Sequence, residues 1–215
     1  VKYNLVTSQT RIPLVQNGTV DLECGPTGVP AERQKQVAFS SGLIYVKGQL
    51  LTSKDSGIKG FADLAGKNVV TTAGTTNERF LKSYNAEHKA NMFVISAKDH
   101  GEAFKMLETG RAVAFYMDDA LLYGERAKAK DPHKWVVVGE EQSREIYSCM
   151  VRKDDPQFLA VVNKTLADLY QSGEITGIYQ RWFEQPIPPN GLNLEFPMTA
   201  ELKKIIATPI SDPVE

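Results

Sequence analysis

The spacing of apolar residues switches between two periods along this chain, and the switches mark out its elements. Val1 to Val6 alternates apolar and polar side chains, as does Val20-Asp21-Leu22-Glu23-Cys24, so both are predicted to be half-buried strands, the second with Val20, Leu22 and Cys24 inward. Thr10 to Gln16 between them reads as a short helix, closed by the Asn17-Gly18 turn. Gly25-Pro26-Thr27-Gly28 then forms a loop, and Pro30 suits the first position of a short helix whose opening turns hold Arg33. Leu43 to Thr52 is a long strand-like run, ended by a turn at Ser53 to Gly57.

Strands and helices alternate after Phe61. The strands are Val69 to Thr72, Phe93 to Ser96, Ala112 to Met117 and Trp135 to Val138. The first helix between them opens with Thr75 and Glu78 in capping-box spacing and puts Phe80, Leu81 and Tyr84 on one face. The second opens at Asp99 and Glu102, faces inward through Ala103, Met106 and Leu107, and stops at Gly110. The third follows Asp118-Asp119 and runs through Leu121 and Leu122 to a polar segment at Lys128. Such alternation implies a mainly parallel sheet with right-handed crossovers.

Ile146 to Arg152 is a returning strand, and Asp155-Pro156 opens a long amphipathic helix through Phe158, Val161, Val162, Thr165, Leu166 and Leu169. A helix from about Ile175 to Phe183, a rigid loop at Pro186 to Gly191, a short helix from Ala200 to Ile206 and a loose Pro-containing tail complete the chain. The expected architecture is α/β with two lobes, residues 1–46 with 146–215 and residues 47–145, joined by two crossing strands. Ligands of open α/β sheets collect outside the carboxyl ends of the strands, which here means a cleft between the lobes.

Charge narrows the partners. The 25 basic and 26 acidic side chains nearly cancel, without a polybasic run or basic-aromatic interleaving, so neither nucleic acid nor an anionic membrane is expected as a partner. No apolar run reaches the roughly 20 residues that span a bilayer. The first residues lack the charged start and apolar centre of a signal peptide, so a processed or trimmed start is expected. Cys24 and Cys149 lie far apart without metal-ligand spacing, which permits one disulfide or two buried thiols.

Several groups fall at predicted strand ends. Arg33 beside a glycine loop makes an anion clamp or an ordinary solvated arginine. Thr75 and Thr76 start a helix after a strand and Gly74, where N–H groups and the dipole favour an anion; plain N-capping by Thr75 is the alternative. Asp118 ends a strand and is placed either to cap the next helix or to hold an ammonium group. His100 lies at a strand-to-helix junction without metal spacing, and Ser8 and Arg11 follow the first strand. Two cations and two hydrogen-bond-rich helix starts facing one carboxylate suit an acidic amino acid. Ser8, His100 and Asp118 do not make a hydrolase, because no Gly-x-Ser-x-Gly elbow exists, and dinucleotide, P-loop and zinc signatures are missing as well. Neither an enzyme, a cofactor nor a metal is expected.

Phe61-Ala-Asp-Leu-Ala-Gly-Lys, Thr72-Ala-Gly-Thr-Thr, Ile95-Ser-Ala-Lys-Asp-His-Gly, Phe115-Tyr-Met-Asp-Asp-Ala and Arg181-Trp-Phe resemble the polar amino-acid periplasmic binding proteins of ABC transporters. The likeness covers essentially the whole chain, and the His100 and Asp118 motifs with Pro186-Ile-Pro-Pro resemble the branch that takes L-glutamate and L-aspartate. The resemblance implies a periplasmic-binding-protein type II fold with mixed and parallel sheets, hinge closure on the ligand, a monomer in the periplasm, and a membrane permease as partner. It implies that Arg33 pairs with the ligand α-carboxylate, helped by Thr75 and Thr76, that Asp118 holds the α-amino group, and that Ser8, Arg11 and His100 hold the side-chain carboxylate. The loop that begins at Gly25 contributes near the amino group; hydroxyl residues are usual there, where this chain has Pro26 and Gly28. It also implies neighbouring strands for Cys24 and Cys149, hence a disulfide. The family carries a strand and helix upstream of the position of Val1, so the first lobe is expected to be incomplete, with a sheet edge open to pairing. The same fold in a receptor's ligand-sensing module is the alternative.

Overall fold

The computed structural model describes residues 1–207; the tail beyond the last helix, expected to be loose, lies outside the described residues. The chain divides into two compact units, residues 1–46, 145–185 and 197 onward in unit 1, and residues 47–144 and 186–196 in unit 2.

Unit 2 is built on five strands in the order β3-β2-β4-β1-β5. These are β1 (Val37–Ser53, of which the second half belongs here), β2 (Asn68–Thr72), β3 (Phe93–Ala97), β4 (Ala114–Asp118) and β5 (Trp135–Val138). The parallel pairing expected from the β/α alternation holds for β2 with β3 and with β4. β1 runs antiparallel between β4 and β5, pairing Leu51 with Phe115 and with Val137, so the sheet is mixed. Its physical origin is that β1 arrives as a crossing strand and not through a helical crossover.

Successive residues of these strands are buried on opposite faces. Leu51, Val70, Phe115 and Met117 pack with Ala103, Phe104, Leu107, Leu122 and Trp135. Leu50, Val69, Ala114 and Tyr116 pack with Phe61, Leu64 and Leu81 on the other side. Helices α3 (Thr76–Glu87), α4 (His100–Glu108) and α5 (Asp119–Lys128) supply the covers, as the apolar faces through Leu81 and through Ala103 and Leu107 dictate. Each fully buried aliphatic or aromatic side chain in such a sandwich contributes about 1.5–3 kcal/mol.

Residues 186–196, left with the first lobe in the sequence reading, belong to unit 2, where Glu195 pairs with Arg126 at 3.0 Å and Phe196 meets Tyr123 at 5.3 Å between ring centroids. These contacts come from long side chains far apart in sequence, which periodicity does not register.

Unit 1 is organised on the first half of β1 and its partner β6 (Arg144–Arg152). Val37, Phe39 and Met150 face Val15 of α1 (Arg11–Gln16), and Cys149 and Val151 face Val162, Leu166 and Tyr170 of α6 (Pro156–Gln171). The stripe on α6 is therefore Val162, Leu166 and Tyr170, and Val161, expected inside, is 60% exposed. Helices α7 (Glu174–Tyr179) and α8 (Ala200–Ala207) follow.

Two predicted strands of unit 1 do not form as expected. Residues 1–6 have no regular structure, with Val1, Tyr3 and Leu5 exposed. Alternation creates one apolar side, but a strand also needs a ladder partner, and among the described residues none pairs with this segment. Around Glu23 the expected sidedness is inverted: Leu22 is 40% exposed while Glu23 is 8% exposed, and pairing reduces to a single antiparallel bridge to Met150. Cys24 is disulfide-bonded to Cys149, the pairing that the resemblance implies.

This disulfide closes a loop of 125 residues. Reducing it, or replacing both cysteines by serine, is expected to cost about 2–5 kcal/mol through the freed unfolded chain, lowering Tm by roughly 5–15 °C. Thermal melts with and without reductant check this; a shift below ~2 °C would mean that the surrounding contacts hold the segment unaided.

Candidate functional site

Covering a sheet on both faces leaves its strand ends as the place for polar groups, and in unit 2 they gather at the carboxyl ends of β2 and β4. Thr72, the last residue of β2, is buried, and its hydroxyl lies 2.8 Å from His100 Nδ1 at the start of α4. The Thr72 carbonyl accepts from Thr75 Oγ1 at 2.7 Å. Thr75 in turn caps α3, accepting from Glu78 N at 3.0 Å. The capping box is not reciprocal: Glu78 reaches back to Gly74 N, at 2.7 Å, and also takes bonds from Lys82 and Ser96. Partial burial works to raise the Glu78 pKa, but those hydrogen bonds outweigh it and hold the carboxyl below its usual range. Glu78 thus stays ionised and braces the turn that presents Thr75. Thr76 follows as the first helical residue, half-buried.

Asp118 ends β4 and occupies the N-cap position of α5 but makes no side-chain cap bond. Its buried carboxylate accepts from Asn77 Nδ2 at 3.0 Å, which ties the end of β4 to the first turn of α3. Of the two uses open to Asp118 in the sequence, capping is therefore not the one realised. Thr75, Thr76, His100 and Asp118 share one edge of unit 2, linked through Thr72 and Asn77.

Of the unit 1 candidates, Gly25, Arg11 and Arg33 meet at the loop from Gly25 to Gly28. Gly25 N donates to Glu23 Oε1 at 2.9 Å. Arg11 is 5% exposed and Arg33 is 4% exposed, so neither is the ordinary solvated arginine. Arg11 Nη1 donates to Pro26 O at 2.7 Å, and Arg33 Nη1, from the short helix α2 (Ala31–Gln34), donates to Gly28 O at 3.1 Å. Pro26 and Gly28, which stand where hydroxyls were expected, thus contribute carbonyls. Ser8 is half-buried in the turn before α1, where the Thr7 and Thr10 hydroxyls bond at 3.1 Å.

The profile of the bacterial extracellular solute-binding proteins, family 3, matches residues 1–185. The chain belongs to this family. Among family relatives it is 66% identical, over its full length and 71% of the other chain, to the L-glutamate/L-aspartate-binding protein of Pseudomonas aeruginosa. It is 54% identical to the glutamate/aspartate import solute-binding protein of Escherichia coli, over 97% of this chain and 69% of that one. In structure it is similar to an ancestral arginine-binding protein bound to arginine, with a TM-score of 0.77 and 30% identity over 85% of this chain and 80% of that one. These are solute-binding proteins of the periplasmic type II fold, not enzymes. No helix among the described residues is long and apolar enough to cross a membrane.

For this family 3 solute-binding protein, reading the sequence missed the residues that hold the candidates in place: Thr72, Asn77, Glu23 and Asp119. Asn77 was legible as an amide two residues after Thr75, but nothing local says that it turns toward β4. Asp119 is buried, and its Oδ1 accepts from Lys47 N at 3.1 Å and from Ala120 N at 2.8 Å. Burial raises its pKa to about 6 against the pull of those two N–H groups, with the Asp118 charge adding to the rise.

A carboxyl whose pKa is raised on folding costs the fold most when ionised, above pH 6, and the cost disappears as the pH falls toward the unfolded value of 3.8. Two pKa units correspond to about 3 kcal/mol. Asp119→Asn keeps an acceptor for both N–H groups without the charge, so its stability relative to wild type is expected to fall by about 2 kcal/mol between pH 7.5 and 4.5. Denaturant titrations at the two pH values measure it, and a constant difference would contradict the assigned burial cost.

Proposed function

We propose that this chain is a periplasmic binding component of an amino-acid ABC importer, working as a monomer that takes up L-glutamate or L-aspartate and presents it to a membrane permease. Asp118 carries the reading. A buried carboxylate at a helix start, held in place by Asn77 and not used as a cap, suits the ammonium group of an amino acid. Arg33 and Arg11 of unit 1 would take the two carboxylates, with Thr75, Thr76 and His100 of unit 2 supplying donors to the same anions. The Gly25 loop and Ser8 complete the set. The ligands named for the Pseudomonas aeruginosa and Escherichia coli relatives have this pattern of two carboxylates and one ammonium group.

Melting curves with about 1 mM ligand test the proposal. At ~1,000-fold excess over a micromolar Kd, binding adds about 4 kcal/mol, or roughly 8–16 °C. The shift is expected with L-glutamate or L-aspartate and not with glutamine or a dicarboxylate without an amine. Equal shifts with those controls would defeat the reading. Asp118→Ala is expected to abolish the shift with the unliganded fold intact, and Arg33→Ala to weaken binding at least tenfold, since charged hydrogen bonds are worth about 1.5–3 kcal/mol each.

A further inference from the structure

Glu23 lies outside every group assigned above to the ligand, yet it is a carboxylate 8% exposed beside the loop on which both arginines rest. Its two oxygens are used separately: Oε1 accepts from Gly25 N at 2.9 Å, and Oε2 accepts from Thr27 Oγ1 at 2.7 Å. Thr27 is fully buried, so its hydroxyl is turned into the protein and not toward a ligand. The backbone of Glu23 is anchored to β6 by reciprocal bonds with Met150, at 3.0 and 2.7 Å, and the loop's far end is anchored by Ser148 N to Thr27 O at 3.2 Å. The loop therefore spans two fixed points, with the Glu23 carboxylate bonded to Gly25 and Thr27 between them.

The glycine at position 25 is part of the device. A Cβ there would lie 2.3 Å from Glu23 Oε1, far inside contact distance, so only glycine lets the carboxylate come this close. What the braced loop presents outward is a pair of carbonyls, Pro26 O and Gly28 O, each taking one N–H of a buried arginine. A guanidinium is planar, so fixing one Nη restricts the direction in which the rest of the fork points.

We infer that Glu23 is a positioning residue for ligand capture: by setting the shape of the loop from Gly25 to Gly28 it aims the guanidinium groups of Arg11 and Arg33. This deepens the proposed function and rests on it for the ligand, but the positioning can be read without one. The same logic explains the inverted strand, because burying Leu22 in place of Glu23 would remove the brace.

The experiment uses the whole chain with Glu23→Ala, Glu23→Gln and Gly25→Ala. The glutamine can still accept from Gly25 N while its amide donates to the Thr27 hydroxyl, so it is the conservative rescue. Nitrogen-15 NMR of the unliganded protein follows the Arg11 and Arg33 Nε–H signals, and calorimetry gives the L-glutamate Kd. Glu23→Ala and Gly25→Ala are expected to collapse both arginine signals toward the unstructured position and to weaken binding at least tenfold, while Glu23→Gln keeps the signals and stays within about threefold of wild type. In an Arg33→Ala background the Glu23→Ala penalty should shrink, as for two residues acting through one contact. Unchanged arginine signals in Glu23→Ala, or an undiminished penalty without Arg33, would overturn the inference. If the wild type shows no L-glutamate binding at all, the functional reading fails, and the arginine signals still decide the positioning role. Should Glu23→Ala not fold, Thr27→Val removes one of the two bonds and is read in the same way.

Discussion

The sheet of unit 2 is buried on both faces, and most of what unit 2 does follows from that constraint. With Val69 and Val70, or Tyr116 and Met117, packed into separate cores, no side chain in the middle of β2 or β4 can carry exposed polar chemistry. Polar groups are displaced to the strand ends, where helices begin and backbone N–H groups lack partners. Thr72, Thr75, His100 and Asp118 stand together because they are the first positions past the apolar layers. The helices that cover the sheet thus also furnish the donors of the candidate site.

Unit 1 solves a related problem with a loop. Arginines that are nearly fully buried must find acceptors, and the backbone carbonyls of Pro26 and Gly28 meet part of that demand. Glu23 is bonded to the same loop through Gly25 N and the Thr27 hydroxyl.

Chain segments with a strong period and a clear cap were legible from residues alone. The helices α3 and α4, with Thr75 and Asp99 at their starts, and the strands β2 to β5 fall within a few residues of where periodicity puts them. Such elements satisfy most of their requirements locally, through i to i+4 bonds, caps and a single apolar face. Val1 to Val6 and Val20 to Cys24 show the limit. Both alternate well, but a ladder partner decides whether a strand forms, and the bonds of one carboxylate decide which side of it turns inward.

The candidate residues followed the same division. Charge type, glycine positions and strand-end placement singled out Arg33, Thr75, His100 and Asp118, and the motifs around them pointed to a family, because those properties are written in the order of residues. Which bond each group makes was decided only when the chain folded. Asp118 binds Asn77 and not its own helix, Arg33 turns back onto Gly28, and Glu78 holds Gly74. Hydrogen-bond partners are chosen by three-dimensional proximity and by the cost of leaving a buried polar atom unsatisfied, and neither is a function of local sequence.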